Sequence, residues 1–204
     1  MTEAEWRDAA DKLRQRLRPN GGEQAVVAFQ GERGAYGHLA IERLWGARAW
    51  VLPCWSFPDV IARLEQGRAE FAVLPVRNEI IGEIPGIQES IEDAELEIVG
   101  ELRLPVRHCL LALPESRLGD ITSVFSHPAA LAQCAKFLGE HPNITPREAF
   151  DTAGSARNVA ARGRRDEGAI AAEGCAERYG LQVLVRNVGD RDDNATVFAV
   201  VRRR

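Results

Sequence analysis

The stretch Gln24-Ala25-Val26-Val27-Ala28-Phe29-Gln30-Gly31-Glu32-Arg33-Gly34-Ala35-Tyr36 decides how the rest of the chain is read. Residues 24–29 form a short apolar run of strand length. Gly31 and Gly34 interrupt it, and a helical pattern follows to about Trp45. A strand that passes through a glycine turn into a helix is the building unit of an α/β sheet. The scheme recurs twice in the second half. Residues 123–125 read as a strand ending at Ser126-His127-Pro128 before a helix over 129–138. Residues 145–150 are extended before Asp151-Thr152-Ala153-Gly154-Ser155 opens a helix to about Ala161.

Outward from these loops, residues 57–66 read as a helix with Phe57, Val60, Ile61 and Leu64 inward, and 85–92 and 173–179 as short helices. Strands are expected over 70–76, 96–102, 106–113, 168–172, 181–185 and 194–201, with a loop over 53–57. Residues 2–18 have an amphipathic pattern: Thr2 and Glu5 stand at capping-box spacing, and Trp6, Ala10, Leu13 and Leu17 share a face. Pro19-Asn20-Gly21-Gly22 ends this helix, which either covers the core or helps a dimer form. The alternation predicts an α/β fold of two mainly parallel lobes. Residues 1–22 are the N-terminal helix, 23–104 the first lobe, completed by 188–204, and 105–187 the second lobe.

Composition narrows the function. The 204 residues are 45% hydrophobic and 27% charged, as in a globular protein. The net charge of −4 and pI near 5.7 argue against a nucleic-acid partner. The longest apolar run, 106–113, is broken by Arg107 and His108, so no membrane segment is expected. The polar start Met1-Thr2-Glu3-Ala4-Glu5-Trp6 is unlike a presequence, which predicts the cytoplasm. Cys54, Cys109, Cys134 and Cys175 lie far apart with no CxxC and no suitably spaced His, so free thiols and no metal are expected.

Each of the three strand-to-helix loops aims backbone N–H groups and the positive end of a helix dipole outward. One such loop is ordinary capping. Three, spread over both halves, favour an anionic small molecule.

Several segments resemble the prephenate dehydratase family. The first is Val27-Ala28-Phe29-Gln30-Gly31-Glu32-Arg33-Gly34-Ala35-Tyr36, and Leu74-Pro75-Val76-Arg77-Asn78-Glu79-Ile80-Ile81-Gly82 is similar to the family's Pro-Ile-Glu-Asn-Ser segment. Ser126-His127-Pro128 with Gln133-Cys134 resembles its Ser-His-Pro…Gln-Cys helix, and Thr152-Ala153-Gly154-Ser155-Ala156 its Thr-Ala loop. Residues 169–181 also fit, and Asn194-Ala195-Thr196-Val197-Phe198 stands where the family has Asn-x-Thr-Arg-Phe. The resemblance implies a periplasmic-binding-protein-like (type II) pair of lobes with an interlobe cleft. It implies loss of carboxylate and ring hydroxyl from prephenate to give phenylpyruvate, carbon dioxide and water in phenylalanine biosynthesis. No cofactor is implied, because aromatisation drives the step. Thr196 is the implied catalytic group at the leaving hydroxyl. Asn78, Arg77, Gln133, Ser126, His127, Thr152, Ala153, Gly34, Ala35, Tyr36 and Phe198 are the implied contacts to a small carboxylate, and a homodimer is the implied assembly. The family's regulatory ACT domain has no counterpart, so phenylalanine feedback through one is not expected in this polypeptide.

The chain departs from the pattern at Val197 for arginine, Arg77 for glutamate, Glu79 for serine, Ala35-Tyr36-Gly37 for Thr-Phe-Ser and Ala129 for glutamine. A valine cannot hold a carboxylate as arginine does. Arg77 then reads as compensation for the lost cation, or else as a solvated residue beside Glu79 and Glu83. The alternatives are a non-aromatising prephenate decarboxylase and a weakened binding protein that closes on a small carboxylate.

Overall fold

A computed structural model describes residues 1–17 and 24–204; the expected Pro19-Asn20-Gly21-Gly22 helix stop lies outside the described residues. In chain order the first elements are α1 (Glu3–Arg16), β1 (Ala25–Gln30), α2 (Tyr36–Trp45), β2 (Ala49–Cys54), α3 (Phe57–Glu65), β3 (Phe71–Asn78), β4 (Gly82–Glu83), α4 (Ile87–Asp93) and β5 (Leu96–Pro105). Then come β6 (Cys109–Ala112), β7 (Ser123–Ser126), α5 (Pro128–Ala132), α6 (Ala135–Glu140), β8 (Thr145–Glu148), α7 (Thr152–Arg162), β9 (Glu167–Ala171), α8 (Gly174–Tyr179), β10 (Gln182–Val185) and β11 (Ala195–Arg203).

These elements fall into two compact units. The first comprises Met1–Gly31, Tyr36–Pro105 and Ala195–Arg204. Its sheet runs β2-β1-β3-β11-β5, with β4 paired to the end of β3. One face is packed by α3 and α4: Val60, Leu64, Ile87 and Ile91 bury against Ala28, Ala72, Leu74, Ala199 and Val201. Capping boxes at Thr2/Glu5 and Ser56/Asp59 start α1 and α3, each satisfying two N–H groups that would otherwise lack partners.

The second unit comprises Glu32–Ala35 and Val106–Asn194, with a sheet ordered β10-β6-β9-β7-β8. Its core joins Leu110, Ile121, Val124, Leu131, Phe137 and Ile170. Asp151 caps α7, and Gly163, at φ 65°, ends it in the left-handed conformation that suits glycine.

The α/β class with two sheets is as expected, but the strand directions are mixed rather than mainly parallel. β1 is parallel to β2 and β3, whereas β11 is antiparallel to both β3 and β5. β7 is parallel to β8 and β9, whereas β6 is antiparallel to β9 and β10. A parallel neighbour needs a crossover, usually helical, whereas β11 enters its sheet from outside the unit and is free of that rule.

Three local expectations are corrected. Residues 49–54 form strand β2 where the sequence suggested a loop from 53. β2 lies at the sheet edge, where Pro53 can do without an N–H. The helix over 129–138 is two helices. It breaks at Gln133-Cys134, where Asp190 Oδ1 accepts from Lys136 N at 3.0 Å to start α6. Residues 188–194, assigned by sequence to the first lobe, group with the second unit, because Val188 N bonds His108 O and Asn194 bonds both Val106 N and Gln133.

Candidate functional site

In the first unit β11 places Thr196 directly opposite Asn78 of β3. Cross-strand partners share a sheet face, so the two side chains meet. Asn78 Nδ2 donates to Thr196 Oγ1 at 2.9 Å and to Ala195 O at 3.1 Å. Asn78 Oδ1 accepts from Ile80 N at 2.9 Å and Ile81 N at 3.2 Å, closing an Asx turn beyond the strand. Both residues are buried, Asn78 at 5% and Thr196 at 8% exposure. A threonine hydroxyl that accepts through its oxygen still has its own proton to donate.

The departures in this segment fall elsewhere. β11 alternates regularly, because the extra residues at its two irregularities belong to β3 and β5. Val197 therefore shares a face with Ala199 and Val201, the side packed by α3 and α4. Arg77, exposed, pairs with Val197 and Glu83. Thr196 points to the opposite face with Phe198 and Val200. Arg77 is thus a cross-strand neighbour of the position that lost its cation, yet it is turned away from the Thr196 hydroxyl. Glu79 has a structural partner: Arg103 binds it through two bonds of 2.8 and 2.7 Å and reaches Glu3 at 2.9 Å. Phe198 is buried in β11, and Tyr36 is half-buried at the start of α2.

Most of the expected contacts of the second unit already have partners within that unit. Ser126 is fully buried and donates to Ile170 O at 2.6 Å, tying β7 to β9. His127 caps α5, its Nδ1 accepting from Ala129 N at 3.1 Å. At α7 the Asp151 carboxylate accepts from Gly154 N, so that N–H has an internal anion; Thr152 stays half-buried and Ala153 buried. Residues 32–35 are held by α7 and α8, through Arg157 to Glu32 at 2.6 Å, Tyr179 hydroxyl to Arg33 O, and Cys175 Sγ to Gly34 O at 3.4 Å. Ala35 is buried beside them. Ordinary capping therefore accounts for the loops before α5 and α7, and bonds from α7 and α8 for residues 32–35.

Gln133 stands in a polar cluster that the sequence did not predict. Its Oε1 accepts from His108 Nε2 at 3.0 Å and from Asn194 Nδ2 at 2.9 Å. The available signal was His108 itself, a polar residue inside an apolar run. Burial holds the His108 pKa below its ordinary 6.5, only partly offset by the Gln133 bond. The native state therefore keeps His108 neutral, while an unfolded chain binds a proton as pH falls below about 6.5. Stability from this group is complete above that pH and is lost as pH falls toward the lowered native value. Denaturant unfolding at pH 7.5 and 5.5 should show a larger acid loss for the wild type than for His108→Gln; equal losses would remove His108 as a source. All four thiols are buried, and burial pushes Cys134 up to about 12.

Among the described residues no helix is long and apolar enough to cross a membrane, and no cluster of three or more His, Cys, Asp or Glu could hold a metal ion.

The family model for prephenate dehydratase matches residues 27–204. A bifunctional N-acyl-homoserine lactone acylase/prephenate dehydratase of Komagataeibacter europaeus is 40% identical over 182 residues, which cover 89% of this chain and 64% of that protein. Arogenate dehydratase 1 of Petunia hybrida is 40% identical over 186 residues, 91% of this chain and 44% of its own length. The crystal structure of prephenate dehydratase in complex with L-Phe from Arthrobacter aurescens matches with a TM-score of 0.80 at 31% identity, covering 88% of this chain and 60% of that one. The chain spans less than two thirds of the length of each of these relatives. With the motifs in order along both units and the family model covering all but the first residues, the chain belongs to the prephenate dehydratase family.

Proposed function

We propose that this chain is a lyase converting prephenate to phenylpyruvate, carbon dioxide and water. The observation that carries the reading is the buried Asn78–Thr196 hydrogen bond of 2.9 Å. It fixes the threonine oxygen as an acceptor and leaves its proton available to a departing group. In the reaction the ring-to-carboxylate C–C bond breaks, its electron pair enters the ring, and the opposite C–O bond breaks as the ring becomes aromatic. The hydroxide that leaves is stabilised by the Thr196 O–H and is released as water after taking up a proton from solvent. Thr152, Ala153 and Gln133 are proposed to meet substrate oxygens, and the protein is proposed to work as a cytoplasmic homodimer.

The test is product identification. Purified protein with prephenate should form phenylpyruvate, read by its absorbance in alkali, and arogenate should be assayed beside it because a relative 40% identical is named for that substrate. A rate equal to the slow uncatalysed background would overturn the reading. Carbon dioxide without an aromatic product would replace it with non-aromatising decarboxylation.

Because Arg77 is exposed and turned away from Thr196, Arg77→Ala is expected to raise KM for prephenate by no more than about threefold, the worth of an exposed charge contact. Initial-rate kinetics check this. A larger rise with unchanged kcat would make Arg77 the carboxylate anchor that replaces the missing cation.

A further inference from the structure

A buried polar cluster stands behind Gln133. Its amide oxygen receives two donors, His108 Nε2 at 3.0 Å and Asn194 Nδ2 at 2.9 Å. An amide oxygen only accepts, so His108 must carry its proton on Nε2. With both lone pairs of Oε1 engaged, rotating the amide by half a turn would set its NH2 against the Asn194 N–H and force His108 to move its proton to Nδ1. That orientation leaves the buried Asn194 donor without this acceptor and is disfavoured. The backbone is held as firmly. Asp190 N donates to Gln133 O at 2.7 Å, and Val188 N donates to His108 O at 2.9 Å, so residues 188–190 connect the two positions. His108 and Asn194 are each 4% exposed, whereas Gln133 is half-buried, and its amide nitrogen has no partner among the described residues.

We propose that His108 and Asn194 are positioning residues that lock the Gln133 carboxamide as a pure hydrogen-bond donor to substrate. The group it meets is then an oxygen acceptor, such as a carboxylate, carbonyl or hydroxyl oxygen. An ammonium at that point would face N–H groups and be rejected. The inference rests on the dehydratase reading, in which Gln133 touches substrate, and it adds the reason why that amide has one orientation.

The test compares His108→Ala, His108→Gln and Asn194→Ala with the wild type in prephenate kinetics, with thermal melts as a fold control. His108→Ala is expected to raise KM by about tenfold while kcat falls less than threefold, the size of one hydrogen bond to substrate that is no longer held in place. His108→Gln returns an N–H near the same place and is expected to bring KM back to within about threefold of wild type. Unchanged KM in His108→Ala, or His108→Gln as impaired as His108→Ala, would overturn the proposal and leave packing. If His108→Ala does not fold, Asn194→Ala carries the same comparison. Side-chain ¹⁵N relaxation of Gln133 reads the lock without any turnover. It should show a restrained amide in the wild type and a mobile one in the alanine variant. Equal relaxation in the two would overturn the lock even in an active enzyme. A lock that appears in an inactive wild type would instead remove only the dehydratase reading.

Discussion

Replacing Thr196 by alanine should lower kcat by roughly 10²–10³-fold, the range lost when a positioned hydrogen-bond donor to developing negative charge is removed. The same change should cost only about 1 kcal/mol of stability. The imbalance follows from the geometry. Thr196 gives the fold one accepted hydrogen bond, and its donor, Asn78 Nδ2, retains Ala195 O as a second acceptor. Strand β11 is meanwhile secured along both edges by β3 and β5. What alanine removes without replacement is the hydroxyl proton. Turnover with prephenate and a urea unfolding midpoint, measured on the same preparation, separate the two effects. Thr196→Ser keeps the hydroxyl and should recover most of kcat. Full activity in Thr196→Ala would assign the threonine to the sheet alone and withdraw its chemical role.

Gly34→Ala should destabilise the protein by about 2–4 kcal/mol, the sum of two separate penalties. Gly34 has φ +99°, where a side chain is strained whatever the space around it, and a Cβ there would lie 2.8 Å from Cys175 Sγ. Adding Cys175→Ala removes the sulfur and should recover the overpacking part, leaving the backbone part of at least about 1 kcal/mol. The double-mutant comparison in urea therefore divides the loss into its causes. A Gly34→Ala midpoint indistinguishable from wild type would mean that residues 32–35 do not need the tight seat against α8 that the structure gives them.

Much of the architecture was readable from local pattern. The runs at 24–29, 70–76 and 194–201 became β1, β3 and β11, because apolar strands between turn residues announce themselves. Strand direction was not readable, since nothing in residues 195–203 says which strands they will join. Nor was β2 visible, because Pro53 is a breaker anywhere but at an edge. At the site, Thr196 and Asn78 could be named from motif resemblance, but their bond depends on sheet register. The substitutions at Arg77, Glu79 and Val197 looked like a rewritten active site when read along the sequence. In three dimensions Glu79 belongs to an ion-pair cluster, while Arg77 and Val197 lie on the face away from the hydroxyl. His108 was passed over because a single histidine in an apolar run has no meaning until its partner, 25 positions on, is seen.

The place of β11 between β3 and β5 has a consequence for how the protein is made. Thr196 and Asn78 are 118 positions apart, so the ribosome has long since released β3 when the strand that pairs with it emerges. Until then β3 and β5 each present an open edge of unpaired backbone groups, a template for pairing with other nascent chains. The first unit is begun before the second and finished after it. A translation product that stops short of residue 195 would lack the proposed proton donor and would also have an unfilled slot in its sheet. Such fragments should be found with chaperones or in inclusion bodies.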